Sequence, residues 1–200
     1  VKSTNRGGRF ADVYDITIRN NVMLTMKSAL KVGTETHAAE MKDILFSNNQ
    51  VIESDRGMAL YARDGTHMHN IRFIGNRFER PYPEYQQRLI DFRITKRHGL
   101  SRISNILIKD NIVDQEWAQP SLIRGYSGEH GISGVRFENL VYAGKKVLSL
   151  EDLNLEARVV RSAPGRPGDG TLYGVFFLNL QPTIKHSLER FVWRLRRRAS

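Results

Sequence analysis

Asp43-Ile-Leu-Phe-Ser-Asn-Asn49 decides the fold. Ile44 and Phe46 alternate at the two-residue period of a strand with one face turned inward, and the asparagine pair closes the strand with a turn. The pattern returns at Asp15-Ile-Thr-Ile-Arg-Asn-Asn21, Asn70-Ile-Arg-Phe-Ile-Gly-Asn76 and Asn105-Ile-Leu-Ile-Lys-Asp-Asn111, with a weaker copy at Gly134-Val-Arg-Phe-Glu-Asn-Leu140. The starts at 15, 43, 70, 105 and 134 are 28, 27, 35 and 29 residues apart. That spacing lies within the range of solenoid repeats, and the alternation within each copy rules out a helical repeat.

A second short strand follows each copy: Ala29–Val32, Met58–Tyr61, Leu89–Phe92, Leu122–Arg124 and Val147–Leu150. The connections hold Gly, Asn, Asp and Ser and are too short for a crossover helix. Successive coils therefore stack in parallel, each touching its neighbours only. The expected fold is all-β: a right-handed parallel β-helix, with handedness following the general crossover rule. Asn21, Asn49, Asn76 and Asn111 are expected above one another, with amides bonding coil to coil. A β-sandwich is the competing fold, but sandwiches do not hold one motif at a long fixed period.

The coils occupy 1–160, followed by a Pro/Gly-rich linker at 161–171 and a last strand with a basic amphipathic tail at 172–200. In the tail, Leu188, Phe191, Val192 and Leu195 recur at helical spacing among arginines, which predicts a helix capping the open end of the solenoid. A segment for a membrane surface or nucleic acid is the second reading of that tail. The chain opens on Val1 rather than Met, so further coils are expected upstream and the solenoid is taken as truncated there.

Net charge is +10, and the tail supplies about half of it, six Lys and Arg against Glu189 between 185 and 198. The coils are only mildly basic, which suits an anionic glycan without requiring one. There is no cysteine, so disulfides and thiolate metal sites are excluded. No stretch is long and apolar enough to span a membrane. The six histidines show no paired metal spacing, so neither metal nor cofactor is expected.

Two insertions interrupt the period. Glu79–Arg88 carries two prolines and two tyrosines; Gln115–Pro120 carries Trp117, expected to pack on the solenoid. Candidate acids and bases are Glu35, Asp55, Asp64, Asp91 and Glu129. With Val32 over Leu60, Lys27-Ser28 stacks against Asp55-Arg56, Lys31 lies beside Ala59, and Lys31 and Tyr61 face outward. The candidate groove is then Asp55 as acid, Lys27, Lys31 and Arg56 as donors, and Tyr61 as a stacking platform. Asp91, Arg93, Arg124 and Tyr126 extend the same face, while an Asp55–Arg56 pair that merely steadies a turn is the competing reading.

Ala29-Leu-Lys-Val-Gly-Thr-Glu-Thr36, the strand ending in Asn48-Asn49, and Ser54-Asp-Arg-Gly57 together resemble bacterial polygalacturonase-like enzymes of glycoside hydrolase family 28. Val1-Lys-Ser3 is similar to the strand after that family's Asp-Asp pair; Glu129-His-Gly-Ile-Ser133, Phe137-Glu-Asn-Leu140 and Gly144-Lys145 are similar to a late coil of related β-helix glycosidases. The resemblance covers roughly residues 1–150. It implies the pectin-lyase-like β-helix and hydrolysis of a polysaccharide or oligosaccharide by two groove carboxylates spaced for a water, about 6.5–9.5 Å apart. For a full-length protein a secreted or periplasmic location is expected, with no nucleic-acid partner.

Departures are substantial. The Asp-Asp pair falls before Val1, the family's Gly-His-Gly falls on Lys27-Ser28-Ala29, and its Arg-Ile-Lys falls on Ala59-Leu60-Tyr61. Loss of that basic pair argues against galacturonate and for another glycan, and the fragment alone is expected to be inactive. Two other functions compete: a non-catalytic glycan-binding β-helix of tailspike or adhesin type, and a polysaccharide lyase using an Arg or Lys base with Ca²⁺.

Overall fold

In the computed structural model, which describes residues 1–4, 11–84, 87–149, 151–158 and 175–177, the copies of the repeat lie directly on one another. The strands in chain order are β1 Ile16–Arg19, β2 Val22–Val32, β3 Glu40–Ser47, β4 Gln50–Asp64, β5 His67–Ile74, β6 Arg77–Pro81, β7 Arg88–Gly99 and β8 Arg102–Lys109. They continue as β9 Ile112–Val113, β10 Ser121–Arg124, β11 Ile132–Glu138, β12 Val141–Tyr142, β13 Lys145–Lys146, β14 Leu155–Arg158 and β15 Val175–Phe177.

One sheet runs β1-β3-β5-β8-β11-β15, parallel throughout. Its register puts Ile16, Ile44, Ile71, Ile106 and Val135 in one column and Ile18, Phe46, Phe73, Ile108 and Phe137 in the next. The Phe46 and Phe73 rings stack at 5.2 Å and 4°. The second sheet carries β2 on β4, β4 on both β6 and β7, β7 on β10, and β10 on β14. The result is a parallel β-solenoid of about four turns, the five stacked heptads bounding them, with no α-helix among the described residues. The expected tail helix and the 161–171 linker lie outside the described residues; Val175–Phe177 of the expected last strand pairs with β11.

Two columns of left-handed residues turn the chain at each copy. Asp15, Asp43, Asn70, Asn105 and Gly134 open the copies at φ 54°, 54°, 55°, 55° and 63°; Asn20, Asn48, Gly75, Asp110 and Asn139 sit near their ends at 57°, 53°, 66°, 53° and 50°. This conformation costs most L-residues roughly 1–2 kcal/mol, and Asp, Asn and Gly bear it most easily. Conformation, more than hydrogen bonding alone, explains why these positions read D, N or G.

Beside the second column runs the expected asparagine ladder. Asn21, Asn49 and Asn76 each donate Nδ2 to Oδ1 of the next asparagine at 2.9, 2.9 and 3.0 Å, and their backbone N–H groups reach the same oxygens. The second Nδ2 hydrogen closes on a strand carbonyl: Ile18 for Asn49, Phe46 for Asn76, Phe73 for Asn111. Asn49, Asn76 and Asn111 are buried; Asn49 and Asn76 use both amide hydrogens and the oxygen, and Asn111, at the end of the ladder, keeps the strand-carbonyl bond and accepts from Asn76.

Two local expectations are corrected. Residues 53–57, the turn of the competing reading for Asp55 and Arg56, form none: β4 runs unbroken through them, and β2 follows with register irregularities at Met23/Leu24 and Thr25/Ser28. Of the strand expected at Val147–Leu150, the described residues 147–149 form none; Ala143 and Gly144, both at positive φ, fold β12 and β13 into a tight hairpin, the geometry such a two-residue turn demands. The column over Leu122–Arg124 is filled instead by β14. Trp117 is buried, as expected of packing, and its backbone N–H donates to the Tyr142 hydroxyl at 2.8 Å.

Candidate binding face

Alternation in the second sheet sends Leu30, Met58 and Ile90 into the core and Lys31, Ala59 and Asp91 out of it, in one column. Two residues on, Tyr61 lies beside Arg93, and Arg93 beside Arg124. The close approach of the chain after β2 to Tyr61 depends on Gly33: at φ 100°, a Cβ there would stand 2.1 Å from the Tyr61 carbonyl oxygen.

Asp91 points out of the core yet is wholly buried, because its neighbours close over it. Its carboxylate accepts from Arg56 Nε at 2.9 Å, from the Tyr61 hydroxyl at 2.5 Å and from Arg93 Nη2 at 2.8 Å, with Arg93 Nε also in contact. Arg56 meanwhile donates Nη1 to Asp55 Oδ2 at 2.5 Å. One guanidinium thus bridges two buried carboxylates. Charge-assisted bonds of this kind fix planar donors in place.

Lys31 Nζ lies 4.8 Å from the Tyr61 ring centroid and Arg93 Cζ 5.8 Å. Burial raises the Tyr61 hydroxyl above its ordinary pKa, helped by its bond to Asp91. Burial lowers that of the Lys31 ammonium, and Lys2 and Arg56 push the same way. Lys31 also donates to Thr34 Oγ1 at 3.1 Å.

The candidate residues therefore divide. Lys31, Arg56 and Tyr61 come together with Asp91 and Arg93 into one cluster, and Asp55 joins it through Arg56. Lys27 is exposed at the register irregularity between Thr25 and Ser28. Asp55 has a second task. Its Oδ1 accepts the Gln87 N–H at 2.9 Å while Tyr82 N–H donates to the Ser54 carbonyl at 2.8 Å, so adjacent residues fasten both ends of the 82–87 insertion. Beyond this insertion an open depression is lined by Glu53, Arg80, Pro81, Pro83, Gln87 and Gln115, with Arg80 held to Glu53 at 2.7 Å.

The remaining acids have other partners. Glu35 pairs with Lys2 at 2.8 Å, and Glu129 is exposed in the turn after β10. Asp64 takes Arg97 on both oxygens at 2.7 Å together with the Thr36 N–H at 2.9 Å. Burial opposes its charge, but those bonds prevail and hold the carboxyl well below the usual carboxylate range.

Histidines also converge, which the sequence reading did not anticipate. His37 and His98 gather at Asp64, and His67 and His69 gather at Glu40, each group offering three ligand atoms within 4.8 Å of one another. The available signal was His67-Met-His69: on a strand, alternate residues share a face, so two imidazoles two apart stand side by side.

The chain matches no protein-family model, no curated protein and no solved structure. The fold is a β-solenoid.

Proposed function

We propose that this solenoid grips a polysaccharide chain along the outward face of its second sheet, as a glycan-binding β-helix. The observation that supports it is Asp91, a buried carboxylate that anchors Arg56, Tyr61 and Arg93 in one fixed group beside Lys31. A rigid cationic and hydroxyl-bearing surface binds sugar hydroxyls or carboxylates without first ordering long side chains.

Binding is favoured over hydrolysis by the position of Arg56. An inverting hydrolase keeps a water between two carboxyl groups. Here a guanidinium joins Asp55 to Asp91. The polygalacturonase-like hydrolase reading is second, and its supporting observation is that Val1–Ser3 pair with Lys31–His37 as a further coil would. In that reading the acids are supplied upstream of Val1.

Affinity electrophoresis through gels containing neutral arabinan or xylan, or anionic polygalacturonate, tests the proposal. Retardation by one of them, reduced at least about tenfold in Lys31→Ala, is the expected result. Equal mobility in all gels defeats the binding reading. Release of reducing ends that disappears on heating would move the chain to the hydrolase reading.

A further inference from the structure

We propose that Glu40, His67 and His69 form a binding site for a zinc-class divalent metal on the outward side of the first sheet. The register builds it. His67 sits beside Glu40 on one side and Arg102 on the other; His69 sits between Lys42 and Ser104. Met68, between the histidines, is buried in the core, so its neighbours must face out together. Their rings lie 4.4 Å apart, inclined by 27°.

Geometry and ligand chemistry agree. Bonds of about 2.0–2.1 Å to a tetrahedral zinc place the ligand atoms roughly 3.3 Å apart. Glu40 Oε1 and His69 Nε2 are 3.6 Å apart, and all three ligand atoms fall within 4.8 Å. His69 Nε2 is buried with no hydrogen-bond partner, a cost that a metal bond removes. His67 is half-buried beside it on the same face. Its Nε2 lies 2.8 Å from Ser104 Oγ, a contact that a metal at Nδ1 would keep as an outer-shell bond and one at Nε2 would replace. Lys42 contacts the other Glu40 oxygen, Oε2, leaving Oε1 to the site.

His37, Asp64 and His98 are the counter-example. Both Asp64 oxygens are engaged by Arg97, so a metal there must first displace a bidentate guanidinium. Two imidazoles and one carboxylate select zinc, cobalt, nickel or copper over magnesium or calcium and leave one tetrahedral position for water or a ligand oxygen.

The test is titration of untagged, chelator-treated protein with Zn²⁺ by calorimetry and with Co²⁺ by visible absorption. One Zn²⁺ per chain is expected, with the intense d–d bands of low-coordinate Co²⁺. His69→Ala and Glu40→Gln should each weaken Zn²⁺ binding, His69→Ala by more than about 100-fold. His98→Ala should leave it unchanged. Both ligand positions are outward-facing; far-UV circular dichroism checks that the variants keep the strand spectrum, and His69→Gln serves if His69→Ala does not. Absence of Zn²⁺ binding in the parent overturns the proposal. So does binding that survives His69→Ala and Glu40→Gln, or that His98→Ala abolishes.

Discussion

The two outward faces of the solenoid handle charge in opposite ways. On the second sheet, Asp91 is buried and its carboxylate is fully engaged: two arginines and a tyrosine reach it. On the first sheet, Glu40 is more open and two imidazoles stand beside it, one ring nitrogen without a hydrogen-bond partner. The first arrangement is complete within the chain and serves as a fixed surface. The second is incomplete, its buried ring nitrogen unmatched within the chain. The distinction lies in arginine: Arg93 engages both oxygens of Asp91, whereas Lys42 contacts only Oε2 of Glu40.

Breaking the complete side should cost most. Asp91→Ala leaves Arg56, Arg93 and the Tyr61 hydroxyl without their common acceptor, and a loss of about 3–5 kcal/mol is expected in urea unfolding. The ladder comes next: Asn76→Ala strands the Asn49 amide and its own strand carbonyl, and about 2–3 kcal/mol should be lost. Asp55→Ala should cost about 1–2 kcal/mol, with faster hydrogen exchange confined to Gln87 and its neighbours. If exchange instead rises across β7, Asp55 supports the Asp91 cluster rather than the insertion.

A pH prediction sharpens the contrast. Asp64, tied to Arg97, has a folded pKa below its unfolded one, so its contribution is present above about pH 4 and is lost as pH falls below that. Asp64→Asn should therefore flatten the acid limb of stability against pH and lower stability at neutral pH. The smallest effect belongs to the incomplete side. Glu40→Gln, measured without metal, should leave the melting temperature unchanged, since its Lys42 partner is a solvent-exposed pair.

The coil architecture was legible because its cause is local: Ile44 and Phe46 must alternate, and a heptad copied at 15, 70 and 105 must stack where 43 stacks. The asparagine ladder followed from the same register. Strand limits were less legible, since Ala143-Gly144 makes a hairpin through backbone conformation, which apolar alternation around Val147 does not reveal. Within the candidate site, outward placement of Lys31 and Tyr61 was readable from period two. That Arg56 would join Asp55 to Asp91 was not, because residues 35 apart in sequence meet only through the register of β4 on β7, which lies across the Glu79–Arg88 insertion. His67 and His69 were two apart in plain view; Glu40 needed the register of β3 on β5.

The columns of left-handed residues make the corners of the repeat rigid while leaving the sides between them elastic in length. The turn from Asn70 to Asn105 carries 35 residues against 27 in the turn before it, yet its Ile71 and Phe73 keep step with Ile44 and Phe46 below and Ile106 and Ile108 above. The surplus is shed where Tyr82 and Gln87 return to Ser54 and Asp55. Since doubling a loop costs only about 0.6 kcal/mol in closure entropy, this corner is a docking port for new sequence. A peptide, a tag or a whole folded module spliced between Pro83 and Glu84 would be displayed at the flank of the column with the stacking pitch undisturbed.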